Sequence, residues 1–436
     1  MKVIKGGRVI DPSNELDGFF DIYIDGKKIV SVKKKEVSGG KRGHTANNEE
    51  IIDADGLVIV PGLIDLHCHL REPGFEYKET IESGSMAGAA GGFTTLVAMA
   101  NTEPVNDNAS VTEYIIQKAK DAGILTVLPV GAVTKGMEGK ELTEVGELKA
   151  AGVVMLSDDG RPVMDSDVMR RALEYSKPFG LCIIAHEEDS SLCMSGAMHE
   201  GRVSAQLGLK GIPRESEEIL VARDIALVQL TGGSVHFAHI SSKGSVDLIR
   251  NAKKRGVNVT AEVTPHHLML DDTAVLGFKT NAKMNPPLTE KVDIEALKEG
   301  LKDGTIDAIA TDHAPHNSID KDVEFDQAAF GVSGLETAFP LCLKLVEEKI
   351  LSLPELISKF TLNPSKILKT GNIGIKAGNI ADIAFFDLEK TWEVDPSKFY
   401  SKGKNTPFAG WKLKGRAVKT MVGGKIVYEY SESEGR

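Results

Sequence analysis

Eight short runs rich in β-branched and apolar residues recur through the 436-residue chain: Leu57–Leu66, Thr94–Met99, Leu125–Val133, Val153–Ser157, Leu181–Ala185, Ser234–Ile240, Val257–Val263 and Ile306–Ala310. Stretches of helical periodicity separate them, for example Val111–Ala122 and Ser245–Arg255. Strands that alternate with helices pair in parallel, because each helix returns the chain to the starting edge of the sheet. Eight such units are the count of an α/β chain closed into a (β/α)8, or TIM, barrel. In that architecture functional groups gather just after the strands, at their C-terminal ends.

The two ends of the chain have a different texture. Residues 1–56 alternate short β-rich runs with Gly-Gly and Asp-Gly punctuators, as in IKGGRVID and DIYIDGKKIVSV. Ser38 to Glu50 is polar and is expected to be a solvated loop. The far end repeats the pattern in IADIAFFDLEKTWEV and GRAVKTMVGGKIVYEY, and the glycine pairs at 6–7 and 423–424 read as hairpin turns. Residues 1–56 and 369–436 are therefore expected to form one composite β-sandwich domain, with the barrel, 57–368, inserted between them.

Composition narrows the function. The formal charge is −11, and no Lys/Arg run is flanked by aromatics, which argues against nucleic acid or an anionic membrane surface as partner. No apolar run approaches the roughly 20 residues needed to span a bilayer. The N-terminus lacks the apolar core of a signal peptide. The four cysteines, Cys68, Cys182, Cys193 and Cys342, have no CxxC spacing and read as reduced thiols. A soluble, cytoplasmic chain is expected.

The strand ends carry the chemistry. The first run leads into His67-Cys68-His69, where strand alternation puts both imidazoles on one face, with Arg71 just beyond. Asn101 follows the second run, Asp158 and Asp159 the fourth, His186 the fifth and His239 the sixth. The seventh runs into His266 and His267, and the eighth into Asp312, His313 and His316. Of 11 histidines, eight stand at or within a few residues of a strand end, a placement that points to a metal site on one barrel face.

The segments PGLIDLHCHLREPG, MANTEP, MLSDDG, AHEED, HFAHIS, EVTPHHL, MNPPL, ATDHAPH and FGVSGLETA together resemble the dihydroorotases of the cyclic amidohydrolase superfamily, in the class I bacterial branch. Two departures stand out. Ala100 replaces a proline usual after the second strand, while Asn101 is kept. Many relatives bridge two metals with a carboxylated lysine after the fourth strand, but this chain has Ser157-Asp158-Asp159-Gly160, with its nearest upstream lysine, Lys149, before the strand.

The resemblance implies a zinc enzyme with two ions. His67, His69 and Asp312 would hold the first, His186 and His239 the second, and Asp159 would bridge them, with Asp158 facing away into a hydrogen bond or salt bridge. Asp312 would also serve as acid and base in the reversible cyclisation of N-carbamoyl-L-aspartate to L-dihydroorotate, a step of pyrimidine biosynthesis. Substrate contacts would come from His69, Arg71, Asn101, Asn285, His316 and the backbone at Phe330 and Gly331. The polar loop Asn317–Ala329 is expected to act as a lid. A homodimer is expected, with association with aspartate carbamoyltransferase as a further expectation. Cys68, His236, His44 and His199 are read as structural, and His266 and His267 as hydrogen-bonding partners around the site. Two alternatives remain: another cyclic amidohydrolase of allantoinase or hydantoinase type, or a non-catalytic relative that only scaffolds aspartate carbamoyltransferase.

Overall fold

In the computed structural model, which describes residues 1–34, 49–371 and 373–431, eight parallel strands run in unbroken chain order. They are β1 (Leu63–Cys68), β2 (Phe93–Ala98), β3 (Thr126–Gly131), β4 (Met155–Leu156), β5 (Cys182–Ala185), β6 (Val235–Phe237), β7 (Val259–Val263) and β8 (Ala308–Ile309). A parallel bridge from Cys68 to His313 joins β1 to the segment after β8 and draws the barrel closed. The main crossover helices are α1 (Ile81–Gly91), α2 (Ala109–Ala122), α3 (Val145–Ala151), α4 (Ser166–Ser176), α5 (Glu215–Thr231), α6 (Lys243–Lys254) and α7 (Lys291–Asp303). Their ends are chemically marked: the Thr80 side chain accepts from Ser83 N at the start of α1, Asn108 from Val111 N at α2, and Ser242 from Ser245 N at α6.

Ile64, Leu66, Val97, Val130, Met155, Ile184, Ala238 and Ala308 pack together in the centre of the barrel. The alternate positions Leu63, Leu96, Ile183, Val235, Phe237, Ala261 and Val263 join the larger core shared with the helices. Strand β7 adds no apolar residue to the central cluster; its residues of that parity are Thr260 and Glu262, the latter fully buried.

Both chain ends enter a separate nine-stranded sheet, in which Ile383–Glu393 and Lys412–Val422 from one end pair towards Val58–Pro61, Arg8–Asp11 and Leu16–Asp25 from the other. Ile4, Val9, Ile22, Ile59, Phe385 and Met421 form its core. The apolar run Leu57–Leu66 is thus two strands rather than one. Val58–Pro61 pairs with Ile383–Phe386 in the terminal sheet, and the chain crosses to the barrel at Gly62. A Cβ at Gly62 would come within 2.1 Å of Thr94 Oγ1, so only glycine permits the crossing. Gly423-Gly424 is a hairpin turn between Lys412–Val422 and Lys425–Glu429. Gly6-Gly7 is not: the runs on either side, Lys2–Lys5 and Arg8–Asp11, both pair with Leu16–Asp25, so the pair interrupts one strand path. Most of the Ser38–Glu50 loop, and His44 within it, lies outside the described residues. No described helix is long and apolar enough to cross a membrane.

Candidate metal centre

The polar residues at the strand ends converge. His67 Nε2 lies 3.4 Å from Asp159 Oδ1 and 3.5 Å from Asp312 Oδ1, while His69 Nε2 lies 3.1 Å from Asp312 Oδ1 and 3.5 Å from Asp159 Oδ2. On the other side of Asp159, His186 Nδ1 and His239 Nε2 each stand 3.5 Å from its Oδ1, and 2.9 Å from one another. All six side chains are buried. Ligand atoms of His67, His69 and Asp312, and of His67, Asp159 and His239, lie within 4.8 Å of one another, two groups that meet at His67 and that could each hold a metal ion. Asp159 turns Oδ1 towards His67, His186 and His239 and Oδ2 towards His69, so it stands between the two pairs of imidazoles.

A direct test of fit comes from unsatisfied atoms. Among the described residues, His67 Nε2 and Asp159 Oδ1 are buried without a hydrogen-bond partner, although they face each other. Buried polar atoms are ordinarily paired, and a cation between them satisfies both. Burial alone would raise the carboxyls of Asp159 and Asp312. The imidazoles around them, His67 foremost, instead hold both below the ordinary carboxylate range. Imidazole and carboxylate donors suit a divalent transition metal.

Neighbouring contacts aim these ligands. Asp158 turns away from the centre and accepts from Val133 N at 2.7 Å and Thr134 N at 3.1 Å, leaving Asp159 to face inward. Asp65 accepts from Thr311 N at 2.8 Å and Thr311 Oγ1 at 2.6 Å, which pins the residue before Asp312. His69 Nδ1 lies 2.9 Å from Asn101 Oδ1, and His67 Nδ1 3.1 Å from Glu262 Oε1. Three non-glycine residues of the site hold left-handed backbone: Arg71 at φ 63°, His239 at 31° and Asp312 at 44°. Such strain is tolerated where surrounding structure over-determines it, and it clusters at functional sites.

The expected substrate residues fall into two groups. Arg71 donates from Nε to Pro315 O at 3.3 Å, and its Nη2 lies 3.4 Å from His316 Nε2. His316 Nε2 donates to Phe330 O at 2.8 Å, and Asn405 Nδ2 donates to Gly331 O at 3.0 Å, so Arg71, His316, Phe330 and Gly331 share one wall. Asn285 stands elsewhere, with Nδ2 donating to Glu188 Oε2 at 2.7 Å and 3.5 Å from His186 Nε2. Asn101 is engaged with His69.

Three carboxylates escaped sequence reasoning. Glu188 Oε2 accepts from His186 Nε2 at 3.1 Å, Glu79 Oε2 lies 3.3 Å from His313 Nε2, and Glu262 joins His67 to His236, whose Nε2 is 3.0 Å from Glu262 Oε2. His236 therefore belongs to a polar network and is not mere packing. The signal for Glu262 was present, since a charged residue in the middle of the run VTAEV contradicts a buried strand unless it is paired. His267 Nδ1 lies 2.7 Å from Thr264 Oγ1, and Nε2 donates to Pro286 O at 2.9 Å, tying down the turn after Asn285. His266 Nε2 is buried with no hydrogen-bond partner, and burial pulls its imidazole well below the ordinary range. Cys68 points away, with Sγ 3.4 Å from Val97 O, and His199 meets Arg214. All four cysteines are free.

Comparison with known proteins places this geometry. The family model described as Dihydro-orotase-like matches residues 56–245. The dihydroorotase of Geobacter metallireducens is 54% identical over 427 residues, 98% of this chain and 99% of that protein. That of Syntrophus aciditrophicus is 51% identical, covering 98% of this chain and all of its own length at 100%. Among solved structures, L-hydantoinase from Arthrobacter aurescens superposes with a TM-score of 0.85 over 99% of this chain and 96% of its own, at 23% identity. Dihydropyrimidinase from Brevibacillus agri gives 0.84 over 98% and 95%, also at 23% identity. At that identity the structural likeness speaks for the fold alone, whereas the full-length relatives speak for the family: this chain belongs to the dihydroorotases, enzymes of the cyclic amidohydrolase class.

Proposed function

We propose that the chain is a two-zinc dihydroorotase that interconverts N-carbamoyl-L-aspartate and L-dihydroorotate, with loss of water on ring closure. The observation that carries this reading is identity above one half with dihydroorotases over nearly the whole chain. It is supported by the missing strand-four lysine, whose place is taken by Asp159.

His67, His69 and Asp312 would hold one ion, and His186 and His239 the other, with Asp159 between. Zinc bound there supplies Lewis acidity, lowering the pKa of water towards neutrality and polarising a carbonyl. In ring opening, Asp312 takes the proton of the attacking water. It then delivers that proton to the ring nitrogen as the amide C–N bond breaks. In ring closure the same carboxylate removes a proton from the carbamoyl nitrogen as the C–N bond forms and returns it to the departing hydroxyl, which leaves as water. Arg71 presents a planar fork to the substrate's α-carboxylate, and His316 and the backbone at Phe330 and Gly331 complete that wall. Asn285 meets the ureide end, and the loop Asn317–Ala329 closes over the ring. Six filled ligand positions favour catalysis over a scaffolding role.

Turnover of L-dihydroorotate and of hydantoin by the isolated, zinc-loaded chain tests the reading. Turnover of dihydroorotate alone is expected. Preference for hydantoin, or no turnover with both zinc sites filled, overturns it.

A further inference from the structure

Beneath the proposed zinc ligands lies a buried polar chain that the reaction does not use directly. Glu262 is fully buried within β7, and so are His67 and His236. Its two oxygens are divided: Oε1 lies 3.1 Å from His67 Nδ1 and Oε2 lies 3.0 Å from His236 Nε2. The far nitrogen of His236, Nδ1, lies 2.8 Å from Thr260 Oγ1, two residues back along the same strand.

A carboxylate buried in a barrel core is costly unless each oxygen receives a donor. An ionised carboxylate only accepts, so both imidazole atoms facing it must carry hydrogen. His236 then presents a lone pair at Nδ1, which the Thr260 hydroxyl fills as donor. His67 presents a lone pair at Nε2, the atom that is buried, unpaired and 3.4 Å from Asp159. With both imidazoles neutral, these hydrogen positions satisfy every member and leave His67 Nε2 free to ligate. We infer that Glu262, held by His236 and Thr260, is a positioning residue that locks His67 in the ligating tautomer and strengthens its hold on metal. The inference rests on the metal centre proposed above.

Thr260 makes the idea separable from packing. In Glu262→Gln the amide keeps the shape but must aim its NH2 at one imidazole. His236 can absorb the change by turning its tautomer, because Thr260 Oγ1 can accept as well as donate. In Glu262→Gln/Thr260→Val that escape is closed, and the amide donor is driven towards His67, forcing hydrogen onto Nε2.

The experiment measures zinc affinity of the full chain by competition with a chromophoric chelator, alongside thermal unfolding of the metal-free and zinc-loaded forms. Removing a group that supports a histidine ligand weakens metal binding roughly 10- to 100-fold. Glu262→Gln is expected at the low end of that range, Thr260→Val at a measurable loss of about threefold, and the double variant beyond the product of the two. Metal-free unfolding temperatures should stay near that of the parent, while the gain on adding zinc shrinks. Zinc affinity equal to the parent's in both single variants overturns the inference, as does an equal loss of stability with and without zinc. Should Glu262→Gln not fold, Thr260→Val decides alone: weaker zinc binding with unchanged metal-free stability upholds the network, and unchanged binding overturns it. A parent chain that binds no zinc would instead overturn the metal centre itself.

Discussion

Arg71 Nη2 stands 3.4 Å from His316 Nε2, and the same imidazole nitrogen donates to Phe330 O at 2.8 Å. The carbonyl takes the imidazole hydrogen, so the Arg71 fork keeps donors free for an anion. A hydrogen bond to a charged group is worth about 1.5–3 kcal/mol. Arg71→Lys keeps the charge but loses the fork, and kcat/KM for dihydroorotate should fall on the order of 10- to 100-fold. Steady-state kinetics checks this, with zinc content expected to match the parent's.

Among the described residues, Asp159 is the one carboxylate that faces His67, His69, His186 and His239 together. Asp159→Ala should lose one metal equivalent and most turnover. Elemental analysis paired with the dihydroorotate assay reads both. Full activity in the variant would remove the bridging assignment.

The family resemblance makes Asn101 a substrate contact, yet its Oδ1 lies 2.9 Å from His69 Nδ1. Support of a ligand predicts that Asn101→Ala weakens zinc binding by about tenfold. A substrate contact alone predicts a raised KM with unchanged zinc affinity. Chelator competition alongside kinetics separates the two, and weakened zinc binding is the expected result.

Far from the ligands, Lys359 is buried, with Nζ donating to Ile306 O at 2.6 Å, and burial lowers its ammonium to about 8. Below pH 8 the folded chain carries this charge at a cost. Between pH 8 and about 10.5 the folded form has released the proton while the unfolded form still binds it, so stability from this group rises with pH. The slope is at most about 1.4 kcal/mol per pH unit. Lys359→Met should lack that rise. Urea unfolding of parent and variant at several pH values across the window checks the sign, the parent gaining on the variant as pH increases.

The eight-fold alternation was legible because burial against helices demands apolar runs, and parallel pairing demands helices between them. The convergence of the candidate ligands was legible for a related reason: a barrel collects the residues at its C-terminal strand ends, so groups far apart in the chain reach one face. The hidden features depend on register and rotation. The run Leu57–Leu66 looks continuous, and only Gly62 packed against Thr94 shows where it passes between sheets. Gly6-Gly7 resembles a hairpin locally, but its flanking strands share a partner instead of pairing with each other.

The chain's own pattern determined the barrel and the composite terminal sheet and put His67, His69, Asp159, His186, His239 and Asp312 at strand ends, since periodicity and strand-end placement are properties of linear order, whereas the family resemblance supplied their expected role as ligands. Tertiary structure alone decided how each ligand is held. Asp158 could be distinguished from Asp159 geometrically only when its oxygen was seen on Val133 N and Thr134 N. His236 became more than packing only when its nitrogen was found beside Glu262. Hydrogen bonds between strands are short-ranged and directional, so their partners exist only once the barrel has brought distant residues within about 3 Å.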